Sequence, residues 1–111
     1  MCNYKILAHN EDGYVILCHS CRHYQLAFGT TAVTFNPADF KIFLEQVDQL
    51  RQDVNCNGFE KQKRIPVEIS CKCAMMILNY TELLRLHTLL SEAAFDEEME
   101  ALLENLNMVR E

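Results

Sequence analysis

The sequence predicts an α+β domain: an antiparallel sheet of about six strands, from two strand–strand–helix units plus an N-terminal hairpin, with two helices on one face and a third helix at the C-terminus. Three observations carry this expectation. Short β-rich runs alternate with turn residues from Tyr4 to Phe35, asparagine-capped helical stretches start at Asn36 and Asn79, and the apolar spacing after the second cap repeats that after the first. The expected organisation is a single domain over 1–111, with one unit over about 24–52, a second over about 65–94 and the last helix over about 96–110.

Tyr4 to Ala8 reads as a short strand, and Asn10-Glu11-Asp12-Gly13 as a turn, because Asn, Asp and Gly tolerate positive φ. Tyr14 to Cys18 is rich in β-formers and supplies the second arm of a hairpin. After a turn over His19 to His23, Tyr24, Leu26 and Phe28 alternate with Gln25 and Ala27, the period of a half-buried strand. Gly29-Thr30 turns the chain into a further strand, Thr31 to Phe35.

Asn36 then caps a helix, Pro37 suits its first position, and Phe35 and Phe40 have the spacing of a hydrophobic staple. Phe40, Phe43, Leu44, Val47 and Leu50 form its apolar stripe, and the polar stretch from Asp53 to Gln62 ends it. The pattern then repeats. Ile65, Val67 and Ile69 alternate as a strand whose Pro66 favours its start or a sheet edge, and a turn near Cys71 to Cys73 leads into Ala74 to Leu78. Asn79 and Glu82 make a capping pair, Leu78 and Leu83 a staple, and Leu83, Leu86, His87 and Leu90 a stripe. Asp96 resembles a third cap, followed by Glu97 and Glu98 and by a stripe of Met99, Leu102, Leu103, Leu106 and Val109. Glu97, Glu98, Glu100 and Glu104 read as the solvated face of that helix. Both faces of Tyr14 to Cys18 and of Met75 to Leu78 are apolar, so the second face of the sheet calls for a cover: the last helix, or another subunit.

At 111 residues, 50% hydrophobic and 23% charged, the chain has a globular composition, and with 3 Gly and 2 Pro it has no low-complexity linker. A net charge of −6 opposes phosphate backbones, and the one basic run, Lys61, Lys63 and Arg64, reads as a solvated loop, so no nucleic-acid partner is expected. No apolar stretch approaches the roughly 20 residues of a membrane span, and none resembles a signal peptide. The expected setting is therefore the cytoplasm, with six cysteines kept as thiols.

Cys18-His19-Ser20-Cys21, with His23 beyond it, is the most suggestive motif. A Cys-x-x-Cys turn can present two sulfurs to zinc, and Cys71 with Cys73 would complete a four-sulfur site; His9, His19, His23 and Cys56 are further donors. Against zinc stands the lack of the glycine that commonly eases such turns, and ordinary buried or half-buried thiols are the leading reading of the cysteines. A redox pair is disfavoured because strands, not a helix N-terminus, flank the motif. A Cys–His nucleophile lacks an identifiable third group. His87 reads as a hydrogen-bonded core or boundary histidine, and Asn79-Tyr80-Thr81 as a cap, not a glycosylation acceptor.

Cys18-x-x-Cys21, Leu26-Ala27-Phe28-Gly29, Asn36-x-x-Asp39-Phe40 and Asn79-x-x-Glu82-Leu83 together resemble a small family of Bacteroidetes proteins of about this length and without established activity. The resemblance implies the architecture and a bacterial cytoplasmic setting, and assigns no site. The functional expectation is a non-enzymatic binding or protein-interaction module, a homodimer through the exposed sheet face or the last helix, without cofactor. The alternatives are a small zinc-stabilised domain using Cys18 and Cys21, and a cysteine-based enzyme or redox protein.

Overall fold

The computed structural model describes residues 3–53, 65–69 and 74–110, apart from the side chains of 104–110. Its elements are β1 (Tyr4–Asn10), β2 (Gly13–Cys18), β3 (Tyr24–Phe28), β4 (Thr31–Phe35), α1 (Pro37–Asp53), β5 (Ile65–Glu68), β6 (Met75–Leu78) and α2 (Tyr80–Arg110). The protein is α+β, as expected. Strands β1 to β4 form an antiparallel meander in chain order, and β5 and β6 pair as a separate antiparallel hairpin.

Two expectations are corrected. The strands form sheets of 4 and 2, not one sheet of about six. Met75 to Leu78 border Phe28, Gly29, Thr30 and Thr31, so β6 lies near the β3–β4 turn. A turn has no ladder of free backbone groups to extend. The third helix does not exist as a separate element, because α2 runs without a break through Asp96. No Gly or Pro falls between Asn79 and Arg110, so nothing in the backbone stops it.

Both helix starts follow from their caps. Asn36 Oδ1 accepts a hydrogen bond from Asp39 N at 2.7 Å. At α2, Asn79 Oδ1 accepts from Glu82 N at 2.7 Å while Asn79 N donates to Glu82 Oε1 at 3.0 Å, a closed capping box. The staple at α1 is a ring contact: Phe35 and Phe40 meet edge-on, centroids 6.1 Å apart. Phe40 also stacks on Tyr24 at 4.3 Å, and Phe43 on Phe35 at 5.0 Å. Because Tyr24 pairs with Phe35 across β3 and β4, these rings fasten α1 to one end of the sheet.

The core lies between the helices and one sheet face. Val15, Leu17, Leu26, Phe28 and Phe35 on the strands join Phe40, Phe43, Val47, Leu83, Leu86 and Leu90 on the helices in one buried cluster, which Val67, Met76 and Leu78 of the hairpin also enter. Burial of each large side chain contributes roughly 1.5–3 kcal/mol. In β1, the register steps from Ile6↔Ile16 to Ala8↔Val15, so Leu7 is an inserted residue, and Leu7 and Ala8 are both buried. Among the described residues nothing covers the opposite sheet face, where Tyr4, Ile6 and Tyr14 are exposed.

The tip of the β1–β2 hairpin is held closely. Asn10 Oδ1 accepts from Asp12 N and Gly13 N, and Gly29 N donates to Asp12 O at 2.9 Å. A Cβ added at Gly13 would lie 1.8 Å from Ala27 O, a backbone atom of the neighbouring strand. Gly13→Ala is therefore expected to destabilise the fold by about 3 kcal/mol, at the upper end for overpacking. A urea midpoint equal to wild type would contradict this account of the tip.

Candidate functional site

Three features bear chemistry or unusual surface: the Cys18–Cys21 turn, the polar ties between α2 and the rest of the fold, and the outward side of α2. The turn joins β2 to β3. Arg22 N donates to Cys18 O at 2.8 Å, Cys18 N to His23 O at 2.9 Å, and His19 N to Asn3 O at 2.9 Å. Arg22 adopts φ 60°, the left-handed conformation that glycine takes most readily, at the position following the second cysteine. Cys18 is buried and Cys21 exposed, and both border a shallow depression of about 260 Å³ with His23 and Tyr24. Among the described residues, no three His, Cys, Asp or Glu side chains cluster closely enough to hold a metal ion. Cys71, Cys73 and Cys56 lie outside the described residues.

His87 bridges the two helices. Its Nε2 lies 2.9 Å from Asp48 Oδ1 of α1 and 3.5 Å from Ser91 Oγ, one turn along α2. Asp, His and Ser in contact invite comparison with a catalytic triad, but a triad uses both ring nitrogens, one for the carboxylate and one for the hydroxyl. Here both partners meet the same nitrogen. Arg51 also bonds Asp48, at 3.0 Å, and with His87 holds its carboxyl below the usual carboxylate range. The group is an interhelix tie, the boundary role expected for His87.

A second set of ties was not legible in the sequence. Lys5 on β1 bonds Glu100 and lies 3.3 Å from Asp96, Tyr24 donates its hydroxyl hydrogen bond to Glu97, and Arg22 Nη2 lies 3.7 Å from Glu97 Oε1. Glu97 and Glu100 thus lie opposite the apolar stripe, as expected, but turned to the sheet and only partly exposed. The reason is rotational phase. Leu83, Leu86, Leu89, Leu90 and Ala93 are buried and set the helix orientation, and at roughly 100° per residue Asp96, Glu97 and Glu100 fall on that same side. Phe95, Met99 and Leu102 fall on the opposite side, exposed at 64%, 41% and 56%. The apolar stripe therefore changes sides along one continuous helix.

A family model described as a family of unknown function (DUF6686) matches residues 1–108. The chain belongs to that family. No curated protein and no solved structure matches it. Within this DUF6686 chain, no described helix is long and apolar enough to cross a membrane. Two open concave surfaces lie among the described residues: a depression of about 490 Å³ on the outer sheet face near Ile6, Tyr14 and Ile16, and a groove of about 470 Å³ between Phe40 and Leu44 of α1 and Ala94 and Ala101 of α2.

The Tyr24–Glu97 tie makes a pH-dependent contribution. Burial first, then the hydrogen bond to Glu97, pushes the Tyr24 hydroxyl well above its ordinary value. A tyrosine that keeps its proton longer when folded stabilises fully below its unfolded pKa of about 10 and progressively loses that contribution as pH rises further. Lys5, raised first by its bond to Glu100, acts with the same sign in the same range. Tyr24→Phe should thus be about 1 kcal/mol less stable at neutral pH and lose stability less steeply above about pH 10. Urea midpoints across that range check it; parallel curves for variant and wild type would refute the assignment.

Proposed function

We propose that this chain is a non-enzymatic protein-interaction module of the bacterial cytoplasm that associates with itself. The reading is supported chiefly by one observation: large apolar side chains stand in solvent on two outward surfaces, Tyr4, Ile6 and Tyr14 on the sheet and Phe95, Met99, Leu102 and Leu103 on α2. Contiguous exposed apolar surface on a small domain marks an interaction site more often than a decorated surface. The geometry around His87, where the hydroxyl and the carboxylate share one nitrogen, gives structural ties and not a proton relay. Charge favours protein over nucleic acid as partner, because the net charge is −6. Size-exclusion chromatography with light scattering should give a mass of twice 12.9 kDa at high concentration. A strict monomer there would end the self-association reading.

A second reading is a small zinc-stabilised domain in which Cys18 and Cys21, with Cys71 and Cys73, hold the metal. It is favoured by the Cys18–Arg22 turn, which closes on itself and takes its left-handed residue directly after the second cysteine. The glycine expected in such a turn is replaced here by Arg22, whose backbone adopts the required conformation. A thiolate site of this kind binds zinc as part of folding, so its loss unfolds the domain. Metal analysis of protein purified without chelator separates the readings: the interaction module is expected to be metal-free and folded, whereas the zinc domain would carry one equivalent and melt on chelation.

A further inference from the structure

We propose that the outward stripe of distal α2 is a self-association seam, in which Phe95, Met99 and Leu102 pack against the same residues of a second copy as a short two-stranded coiled coil. This rests on the interaction-module reading and names its surface and its partner.

The spacing supports a helix as the occupant. From Phe95 the apolar residues recur at Met99, Leu102, Leu106 and Val109 in the sequence, alternating intervals of four and three, the heptad rule that keeps a seam facing a neighbouring helix. A helix that only covered its own sheet would keep its apolar residues on the sheet side, as α2 does up to Ala93. The heptad positions upstream of Phe95 are Glu92, Thr88 and Arg85, so the seam begins where the core-facing stripe ends. Because the stripe points away from the sheet, a second copy approaches without displacing any contact of the domain.

The seam's spacing is self-complementary, which points to a second copy, and the acidity of the chain does not oppose it. The residues flanking the seam are Asp96, Glu98, Leu103, Asn105 and Arg110. In a parallel pair Glu98 faces Leu103 and Asp96 faces Ser91; in an antiparallel pair Glu98 faces Asn105 and Asp96 faces Leu103. The antiparallel arrangement sets no carboxylate against another, whereas the parallel one opposes the two Glu92 side chains one step before Phe95. Glu97 and Glu100 lie at positions remote from the seam, and Arg22 and Lys5 of the same chain already hold them. Helix nucleation, which makes isolated short coils marginal, is already met by the packed half of α2. From Phe95 onward the helix offers about 24 Å of length, so the expected interface is small.

Sedimentation velocity of the full chain from about 1 μM to about 500 μM spans the range in which such small interfaces form. Wild type should pass from monomer to dimer. Leu102→Glu, at an exposed position that leaves the monomer core untouched, should weaken association at least tenfold, and Met99→Glu should act likewise if the first variant folds poorly. Ile6→Glu, on the outer sheet face, should leave association unchanged. A dimer indifferent to both seam variants but dissociated by Ile6→Glu would overturn the seam while sparing the interaction-module reading. A wild type monomeric throughout would overturn both.

Discussion

Helix α2 passes its rotational phase from the buried half to the free half, and the outer surface of the domain follows from that. Leu83, Leu86 and Leu90 lie in the core cluster, so the helix cannot turn about its axis without opening the interior. A rigid rod then places every later residue. Asp96, Glu97 and Glu100 come round to Lys5, Arg22 and Tyr24, while Phe95, Met99 and Leu102 come round to water. The hydrocarbon face and the polar face have exchanged sides relative to the sheet.

The other helix is positioned by rings more than by charges. Tyr24, Phe35, Phe40 and Phe43 form a continuous aromatic contact from β3 through β4 into α1, and the Asp48–His87 bond then locks α1 to α2. Tyr24 belongs to both systems: its ring stacks on Phe40 and its hydroxyl bonds Glu97, so a single strand residue couples the placement of both helices.

Local signals were readable from the sequence alone because they act within a few residues. Asn36 and Asn79 start helices, Phe40 and Leu83 are buried, and Tyr24, Leu26 and Phe28 are buried in alternation along β3, since caps, staples and periodicity need no knowledge of distant partners. Nonlocal features were not readable. Asp96 followed by two glutamates has the composition of a helix start, yet a carboxylate in the middle of a helix is equally at home when a lysine waits on the neighbouring strand. The better guide was the absence of any helix-breaking residue after Asn79. The pairing of β5 and β6 apart from the meander is a nonlocal arrangement, which no local pattern encodes. The two strand–strand–helix segments share their order and caps, but only the first contributes to the larger sheet. Of the cysteine motif, the sequence conveyed the turn and missed that Arg22 would supply its left-handed residue.

The inserted residue in β1 bears on what the edge of the sheet offers to other chains. An outermost strand with regular pleating offers a template onto which a stranger's backbone can zip, and repeated addition of that kind grows fibres. Leu7 breaks the repeat of that edge by one residue and coils it away from a flat approach. Backbone-to-backbone recruitment is therefore discouraged at that edge.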